Sequence, residues 1–343
     1  MSKNISSALK FHYDEELFNN AWTSEKDPTS TVLLESGAMV EDSLIASLIA
    51  GGGNYYTIPF YKDITGDEVN YDGATDITAD ATEDGVQSGV VVGRAKGWKS
   101  TLFVNDFTAA DPMRNILNRI QKWKAKKVQA RVIGILNAIQ GITGAGAYEV
   151  EWANHTTDIT SASSTVTDDN KIGLTTLRDA AVTANGDAAD DYALAIMHSV
   201  VANRLSQFNV LEFFKYNDAN GQEKDVKVGR CGNMLVLICD EVPHTVDANS
   251  NMVYTTYLLG RGVLLHASAP VEHPSDYKYD PSDDGGIEYL YTRYRETIHP
   301  NGFTFSMENL PISPTDAQLA TTANWSIVMN PKNIAIAFLK TNG

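Results

Sequence analysis

The sequence predicts an α+β protein in which one long helix lies between strand-rich regions and an α/β layer. Residues 111–142 have the periodicity of an amphipathic helix. Residues 55–107 and 286–343 are rich in strand-forming side chains, and residues 191–239 follow the order strand, helix, strand. A chain of 343 residues can bury a large core, and two or three subdomains are expected.

The helix over residues 111–142 has a start signal and a stop signal. Asp111 is suited to cap its N-terminus, Pro112 is tolerated at the first helical position, and Gly141 ends it. At a rise of 1.5 Å per residue, about 30 residues form a strut roughly 45 Å long. The apolar positions recur every three or four residues, at Met113, Ile116, Leu117, Ile120, Trp123, Val128, Val132, Ile135, Leu136 and Ile139.

The charge of this helix is opposite to the charge of the whole chain. The protein has 43 acidic and 27 basic side chains, yet residues 112–148 contain no acid. The bases in this stretch are Arg114, Arg119, Lys122, Lys124, Lys126, Lys127 and Arg131. A solvated helix face explains such charges. The alternative is that they meet an acidic surface of another subunit or packaged nucleic acid.

Residues 1–54 are predicted to form an arm that packs onto another surface. Apolar anchors such as Phe11 and Trp22 are scattered in an otherwise polar sequence. One helix is expected within the arm, over residues 29–50, and Gly51 ends it.

Residues 55–107 have the pattern of a long two-stranded projection. The predicted strands are residues 55–61, where Pro59 indicates an edge strand or a bulge, and residues 86–107. Residues 63–84 between them hold eight acids and no base. Glycines recur at positions 85, 89, 93 and 97, a spacing that permits bending or close backbone approach. Because the segment has few apolar residues, it needs another surface to be stable.

The rest of the chain is predicted to contain two helices and seven strands. The predicted helices are residues 174–184 and 199–208. The predicted strands are residues 192–197, 234–239, 254–259, 262–266, 288–295, 325–329 and 333–339. The polar residues 154–170 are expected to form a surface loop or a short edge hairpin.

No arrangement of residues predicts a catalytic or metal site. The seven histidines lack metal-ligand spacing, and neither a phosphate loop nor a nucleophile elbow is present. His198 is the best catalytic candidate, although a hydrogen-bonded structural histidine is the favoured interpretation. Asp240 and Glu241 follow a strand without a partner base. Cys231 and Cys239 are expected to be reduced core thiols. We therefore expect no enzyme activity and no cofactor.

The net charge of −16 argues against a dedicated DNA-binding protein and suits a protein that stays soluble at high concentration. No apolar run approaches 18 residues, and residues 1–10 lack the apolar core of a signal peptide. Assembly in the cytoplasm and no membrane partner are expected.

Three stretches of the sequence resemble a known family. The first comprises residues 93–98, 106–107 and 111–112, and the second comprises residues 195–201, 220–222 and 236–243. The third comprises residues 257–262, Arg293 and residues 299–303, 324–325 and 330–334. In this order they resemble the major capsid proteins of tailed bacteriophages with the Hong Kong 97-type (HK97-like) fold. The sequence is most similar to the group called gp13-like.

The resemblance implies a named part for each region. Residues 1–54 correspond to the N-terminal arm (N-arm), 55–107 to the extended β-hairpin called the E-loop, 108–189 to the P-domain with its spine helix at 111–142, 190–285 to the α/β A-domain, and 286–343 to strands that return to the P-domain.

The resemblance also implies partners. It predicts a shell subunit that assembles with its own copies into pentamers and hexamers. A scaffolding protein and a portal are the expected partners during assembly. The finished shell is expected to enclose double-stranded DNA, which it contacts without sequence specificity. The protein is expected in the virion, after assembly in the host cytoplasm. The acidic projection is expected to pack over a basic surface of the adjacent subunit. The expected interface residues are Asp67, Glu68, Asp72, Arg94, Lys96, Trp98, Lys122 and Lys126.

Two other classes of protein are the alternatives. An encapsulin is a bacterial compartment shell with the same fold that loads an enzyme cargo. Encapsulins usually begin with a helix that lines the cargo groove, whereas this chain begins with a polar arm. An enzyme with an α/β core is the third class, and no catalytic constellation supports it.

Overall fold

The computed structural model describes residues 37–62, 64, 66–72, 76, 79, 81–102, 112–208, 211–217, 223–232 and 234–343. These residues divide into two compact units. The smaller unit comprises the described residues of 93–128 and 270–295. The larger unit comprises those of 37–92, 129–269 and 296–343. Most of the predicted arm, residues 1–36, lies outside the described residues.

The described residues contain both helices and strands, and nine consecutive strands follow the helix that begins at Ser199. Helices α1 to α6 span Ser43–Ala50, Pro112–Gln140, Ala147–Trp152, Thr176–Asn185, Ser199–Gln207 and Asp316–Leu319. Strands β1 to β9 span Met39–Glu41, Tyr55–Tyr61, Asp84–Val90, Val92–Thr101, Thr156–Asp158, Leu194–Met197, Glu212–Asn217, Glu223–Cys231 and Met234–Ile238. Strands β10 to β17 span His244–Val246, Met252–Leu259, Leu264–Ala269, Ser275–Asp280, Ile287–Pro300, Phe303–Phe305, Trp325–Ile327 and Ile336–Thr341.

An eight-stranded mixed sheet forms the centre of the larger unit. Its order is β5-β17-β11-β6-β9-β8-β7, and β10 pairs with β11. Strands β6 and β9 are parallel, whereas β11 is antiparallel to both β6 and β17. The helix α5 follows β6, so the predicted α/β layer is confirmed here. The sheet also includes β5, from the polar residues predicted as a loop or hairpin, which pairs in parallel with β17.

Both faces of this sheet are covered. On one face, Leu258, Ala337 and Leu339 belong to a buried cluster with residues of α4 and α5. Because neighbouring residues of a strand point to opposite faces, Tyr257 and Phe338 lie on the other face. There the hydroxyl of Tyr257 donates a hydrogen bond to Asn137 of α2 at 3.0 Å.

The long helix α2 is confirmed at 29 residues, Pro112–Gln140, and is about 44 Å long. The proposed N-cap, Asp111, lies outside the described residues. The second half of the helix carries the buried apolar positions Val132, Ile135, Leu136 and Ile139, which are essentially inaccessible. Among the described helices, none combines the length and the hydropathy that a membrane span requires.

Strands β2 and β3 form a two-stranded antiparallel sheet, called here the ribbon, with Tyr55 opposite Val90 and Tyr61 opposite Asp84. At the base of the ribbon, Tyr56 is buried in a cluster with Ile45 and Ile49 of α1. The sequence predicts that this projection needs a covering surface, and at its base the chain itself supplies one.

Two boundaries predicted from the sequence are wrong. The single helix predicted over residues 29–50 is interrupted, because Met39–Glu41 pairs in parallel with β12 as β1 and α1 begins only at Ser43. Residues 29–36 lie outside the described residues. Asp42 then caps α1 by accepting hydrogen bonds from the next turn. The single strand predicted over residues 86–107 breaks at Val91, because β3 pairs with β2 whereas β4 pairs with β14. Residues 103–107 lie outside the described residues.

The smaller unit contains β13, most of β4, part of β14 and the first half of α2. Strands β13 and β4 both pair with β14. Gly97 of β4 lies so close to the ring of Tyr291 that a Cβ there would be 3.0 Å from it. The first half of α2 belongs to this unit, and the ammonium group of Lys124 lies 4.5 Å from the ring centre of Tyr294. This contact is a cation–π interaction.

Candidate functional site

The outer end of the ribbon is both acidic and apolar. Asp67, Glu68 and Asp72, three of the expected interface residues, are exposed. Ile64 and Tyr71 are about 90% and 89% exposed, although they are large apolar side chains. Two large apolar side chains this exposed within one short segment favour contact of the segment with another surface.

The base of this acidic segment is closed by an ion pair between Lys62 and Glu83, with 2.9 Å between Nζ and Oε2. Glu83 and its neighbours border a cavity of about 780 Å³, which also contacts Tyr148 and Met329. Open space and exposed apolar groups therefore occur together at this end of the ribbon.

The smaller unit brings together three of the predicted basic and aromatic residues. Trp98 of β4 packs edge to face against Trp123 of α2, with 5.3 Å between ring centres. Trp98, Lys122 and Lys126 line one cavity of about 280 Å³ together with Arg119. Because three cationic side chains line this cavity, it suits an acidic partner.

The other predicted interface residues of the smaller unit do not line this cavity. Arg94 is half-buried, and its guanidinium donates to the carbonyl of Gly93 at 2.9 Å. Lys96 is exposed, and its carbonyl accepts a hydrogen bond from Thr292 at 3.3 Å. Asp67, Glu68 and Asp72 belong to the larger unit.

Arg131 has a different role from the other bases of the helix. It is buried, with its side chain about 2% exposed, and its guanidinium donates to the buried carboxylate of Glu296 on β14. Its Nε also donates to Asp316 at the start of α6, at 2.8 Å. Arg131 therefore cross-links three elements of its own chain and is unavailable to a partner.

This buried ion pair was not predicted from the sequence. Glu296 also lies 3.8 Å from Nε2 of His266 on β12. The sequence offers one sign of this pair, which is that the acid Glu296 directly precedes Thr297 and Ile298. Both of those residues are buried in the structure. A charge at a buried strand position requires a partner, but the pattern does not identify which base supplies it.

A polar seam attaches the ribbon to β14 and β15. The hydroxyl groups of Tyr56 and Thr297 are 2.9 Å apart and both are buried. The backbone N–H of Gly302 donates to Gln87 at 3.1 Å. The backbone N–H of Ser88 donates to the hydroxyl of Thr304 at the same distance. Burial raises the pKa of Tyr56 to about 12, so this group stays neutral at ordinary pH.

His198 is a structural residue in this fold. Its Nδ1 accepts a hydrogen bond from the backbone N–H of Val200 at 3.2 Å, so the side chain caps α5. Burial lowers the pKa of His198, Asp240 opposes this effect, and His244 adds to it. Asp240 itself accepts from the backbone N–H of Ser199 at 3.1 Å. The favoured interpretation of His198 is thus confirmed.

The remaining chemical candidates also serve the fold. Glu241 accepts a hydrogen bond from the buried amide of Gln129. Cys239 is buried and Cys231 is partly buried, and both are free thiols whose pKa is raised by burial. Among the described residues, no group of three or more His, Cys, Asp or Glu side chains could hold a metal ion.

Comparison with known proteins identifies the family. The family model described as Gp13-like, major capsid protein 13-like, matches residues 50–335. The major capsid protein of Bacillus phage SPP1 is 25% identical over 328 residues, which cover 95% of each chain. The capsid of Ralstonia phage GP4 has a TM-score of 0.60 at 12% identity and 94% coverage of each chain. The cyanophage Pam1 capsid has a TM-score of 0.57 at 11% identity, over 99% of this chain and 98% of that chain.

These similarities agree with the architecture described above. The structural relatives share a capsid fold of mixed helices and strands, which is consistent with the predicted HK97-like fold. The relatives are phage head proteins, so the encapsulin alternative is not favoured. The family is one of structural proteins of the virion rather than a class of enzymes. Because the family model spans most of the sequence, the chain belongs to the Gp13-like family of tailed-phage major capsid proteins.

Proposed function

We propose that this major capsid protein assembles with its own copies into the pentamers and hexamers of an icosahedral head that encloses double-stranded DNA. Assembly takes place in the host cytoplasm, with a scaffolding protein and a portal. The observation that carries the proposal is the outer end of the ribbon. Its exposed Ile64 and Tyr71 lie beside three exposed acids, which is a surface suited to contact with a neighbouring subunit.

We further propose that the acids of the ribbon face the basic side of α2 in the adjacent subunit. Arg114, Arg119, Lys122 and Lys127 are exposed along the first half of that helix. The net charge of −16 disfavours a wall that binds DNA strongly, so these bases suit a protein neighbour better than the genome.

Assembly is tested by negative-stain microscopy of the protein expressed alone and together with its scaffolding protein. We expect irregular shells, tubes or capsomers from the protein alone, and regular shells with the scaffold. A protein that remains monomeric under both conditions would contradict the proposal.

The charge contact is tested by replacing Asp67, Glu68 and Asp72 with lysine. Each exposed ion pair is worth on the order of 0–1 kcal/mol, so we expect the critical assembly concentration at low salt to rise several-fold. At 1 M salt the Debye length is about 3 Å, so the difference should shrink. Light scattering against protein concentration, at both salt concentrations, measures the effect.

Two further variants control this experiment. Exchanging Asp67 and Asp72 for glutamate, and Glu68 for aspartate, keeps the charges and should leave assembly unchanged. Adding Lys122→Glu and Lys126→Glu to the triple lysine variant should restore part of the lost assembly, because opposite charges then face each other again. An unchanged critical concentration in the triple lysine variant would rule out the charge contact.

A further inference from the structure

The last residues of β14 contain a histidine that the capsid function does not explain. His299 is about 1% exposed. Its ring centre lies 6.2 Å from that of Tyr56 on the ribbon and 6.1 Å from that of Trp325 on β16. His299 therefore fills the space between the base of the ribbon and the strand pair β15–β16.

The surroundings of His299 suit only its neutral form. One ring nitrogen forms a hydrogen bond with the backbone of Phe303. Its Nε2 is buried and has no hydrogen-bond partner among the described residues. Protonation would therefore place a charged N–H donor in a site without an acceptor, which carries a large desolvation cost.

No opposite charge faces His299 from the elements packed against it in the described structure. The titratable group on the ribbon side is Tyr56, which is neutral in the acidic range. Trp325 and Phe303 carry no charge. Glu296, Arg131 and His266 meet one another around the same strand, but Glu296 is three positions away and points to the opposite face.

His299 belongs to the seam that holds the ribbon. Thr297, two residues earlier on the same face of β14, bonds to Tyr56, and Gly302, three residues later, bonds to Gln87. Beyond this seam the ribbon is exposed at Tyr61, Ile64 and Tyr71. A disturbance at His299 therefore acts directly on contacts that attach the ribbon to the larger unit.

We propose that the seam around His299 is an acid-sensitive latch, which releases the β2–β3 ribbon from β14 and β15 when His299 is protonated, while the eight-stranded sheet remains folded. Binding of one proton by His299 would thus change whether the ribbon is attached to β14 and β15. It depends on contacts within one subunit and not on the proposed contact between subunits.

The direction of the pH effect follows from burial. Burial lowers the pKa of His299 to about 4, whereas an exposed histidine has a pKa of about 6.5. The latched state thus binds fewer protons than the released state between these two values. The latch is fully stable above about pH 6.5 and weakens as the pH falls toward about 4. The two pKa values differ by about 2.5, which corresponds to a roughly 300-fold change in the equilibrium between the latched and released states once the pH is well below both.

Hydrogen–deuterium exchange of the full-length protein, measured between pH 7 and pH 4, tests the latch. We expect the protection factors of residues 55–61 and 84–90 to fall by roughly 100-fold between pH 7 and pH 4. The protection of residues 255–259 and 336–341 in the eight-stranded sheet should persist. Equal loss of protection in the ribbon and the sheet would mean global unfolding and would overturn the proposal.

Variants of the two histidines make the test specific. His299→Phe keeps a ring between Tyr56 and Trp325 but cannot be protonated, so ribbon protection should become independent of pH. His299→Gln provides the same readout if the phenylalanine variant does not fold. His266→Phe removes the histidine beside Glu296 and should keep the acid response of the wild type. A wild-type acid response in both His299 variants would overturn the proposal, as would a pH-independent ribbon in the wild type.

Discussion

Replacement of Arg131 by methionine is expected to lower the free energy of unfolding by about 3–5 kcal/mol. The guanidinium of Arg131 bonds to Glu296, whose side chain is about 2% exposed, and to Asp316. Without it, the buried carboxylate of Glu296 loses its guanidinium partner, while Nε2 of His266 remains 3.8 Å away. The loss therefore reflects an uncompensated buried charge more than the lost attraction between the pair.

Urea denaturation of the dissociated subunit measures this loss, and an unchanged dependence on denaturant would confirm that the folded state is the same. Lys127→Met is the matched control, because Lys127 is exposed on the same helix and its loss should change stability by no more than about 0.5 kcal/mol. The variant Arg131→Met, Glu296→Leu removes both charges and should recover part of the stability. If Arg131→Met cost less than about 1 kcal/mol, the buried pair would not anchor the helix as described.

Replacement of Gly89 by alanine is expected to cost about 2–4 kcal/mol, because it disturbs both the packing and the hydrogen bond of Tyr56. A Cβ at position 89 would lie 2.3 Å from the hydroxyl oxygen of Tyr56 and 2.4 Å from its Cζ. Tyr56 is opposite Gly89 in the ribbon, and its hydroxyl is held by Thr297. The ring cannot move away without breaking that buried hydrogen bond.

Thermal unfolding of Gly89→Ala beside two other glycine variants tests this explanation. Gly85→Ala should be milder, because the half-buried ring of Phe60 that it meets has more freedom to move. Gly51→Ala should be nearly neutral, because nothing lies within 4 Å of its Cβ and its φ is −76°. Equal effects at positions 51 and 89 would show that flexibility of the glycine, and not the clash with Tyr56, sets the stability.

The glycines at positions 85, 89 and 97 show which structural features a sequence pattern predicts and which it does not. Their spacing predicts either bending of the strand or close approach of another group to the backbone. The structure shows an aromatic ring at each position: Phe60, Tyr56 and Tyr291. Aromatic residues opposite glycines stabilise such strands. The partner rings could not be assigned from the sequence, because they lie on strands whose register is set by tertiary contacts.

Six of the eight expected interface residues fall into two groups in the structure. Asp67, Glu68 and Asp72 are exposed, and Trp98, Lys122 and Lys126 share one cavity. Their contact with a neighbouring subunit remains a prediction. Arg131 shows why the charge of a residue does not by itself predict whether it is available to a partner. In the sequence it is one of the bases of the long helix, but in the structure it is buried against Glu296.

The sequence alone determined the long helix, the antiparallel ribbon and the α/β layer. Each depends on local periodicity, on Gly and Pro signals, or on runs of apolar residues, which act within a few positions along the chain. Its motifs, taken in order, also pointed to the capsid family. Only the tertiary structure decided where β3 ends and β4 begins, which base is buried, and that His299 joins the ribbon to β14. These features depend on contacts between residues more than 100 positions apart, and loop closure over such distances leaves no local pattern in the sequence.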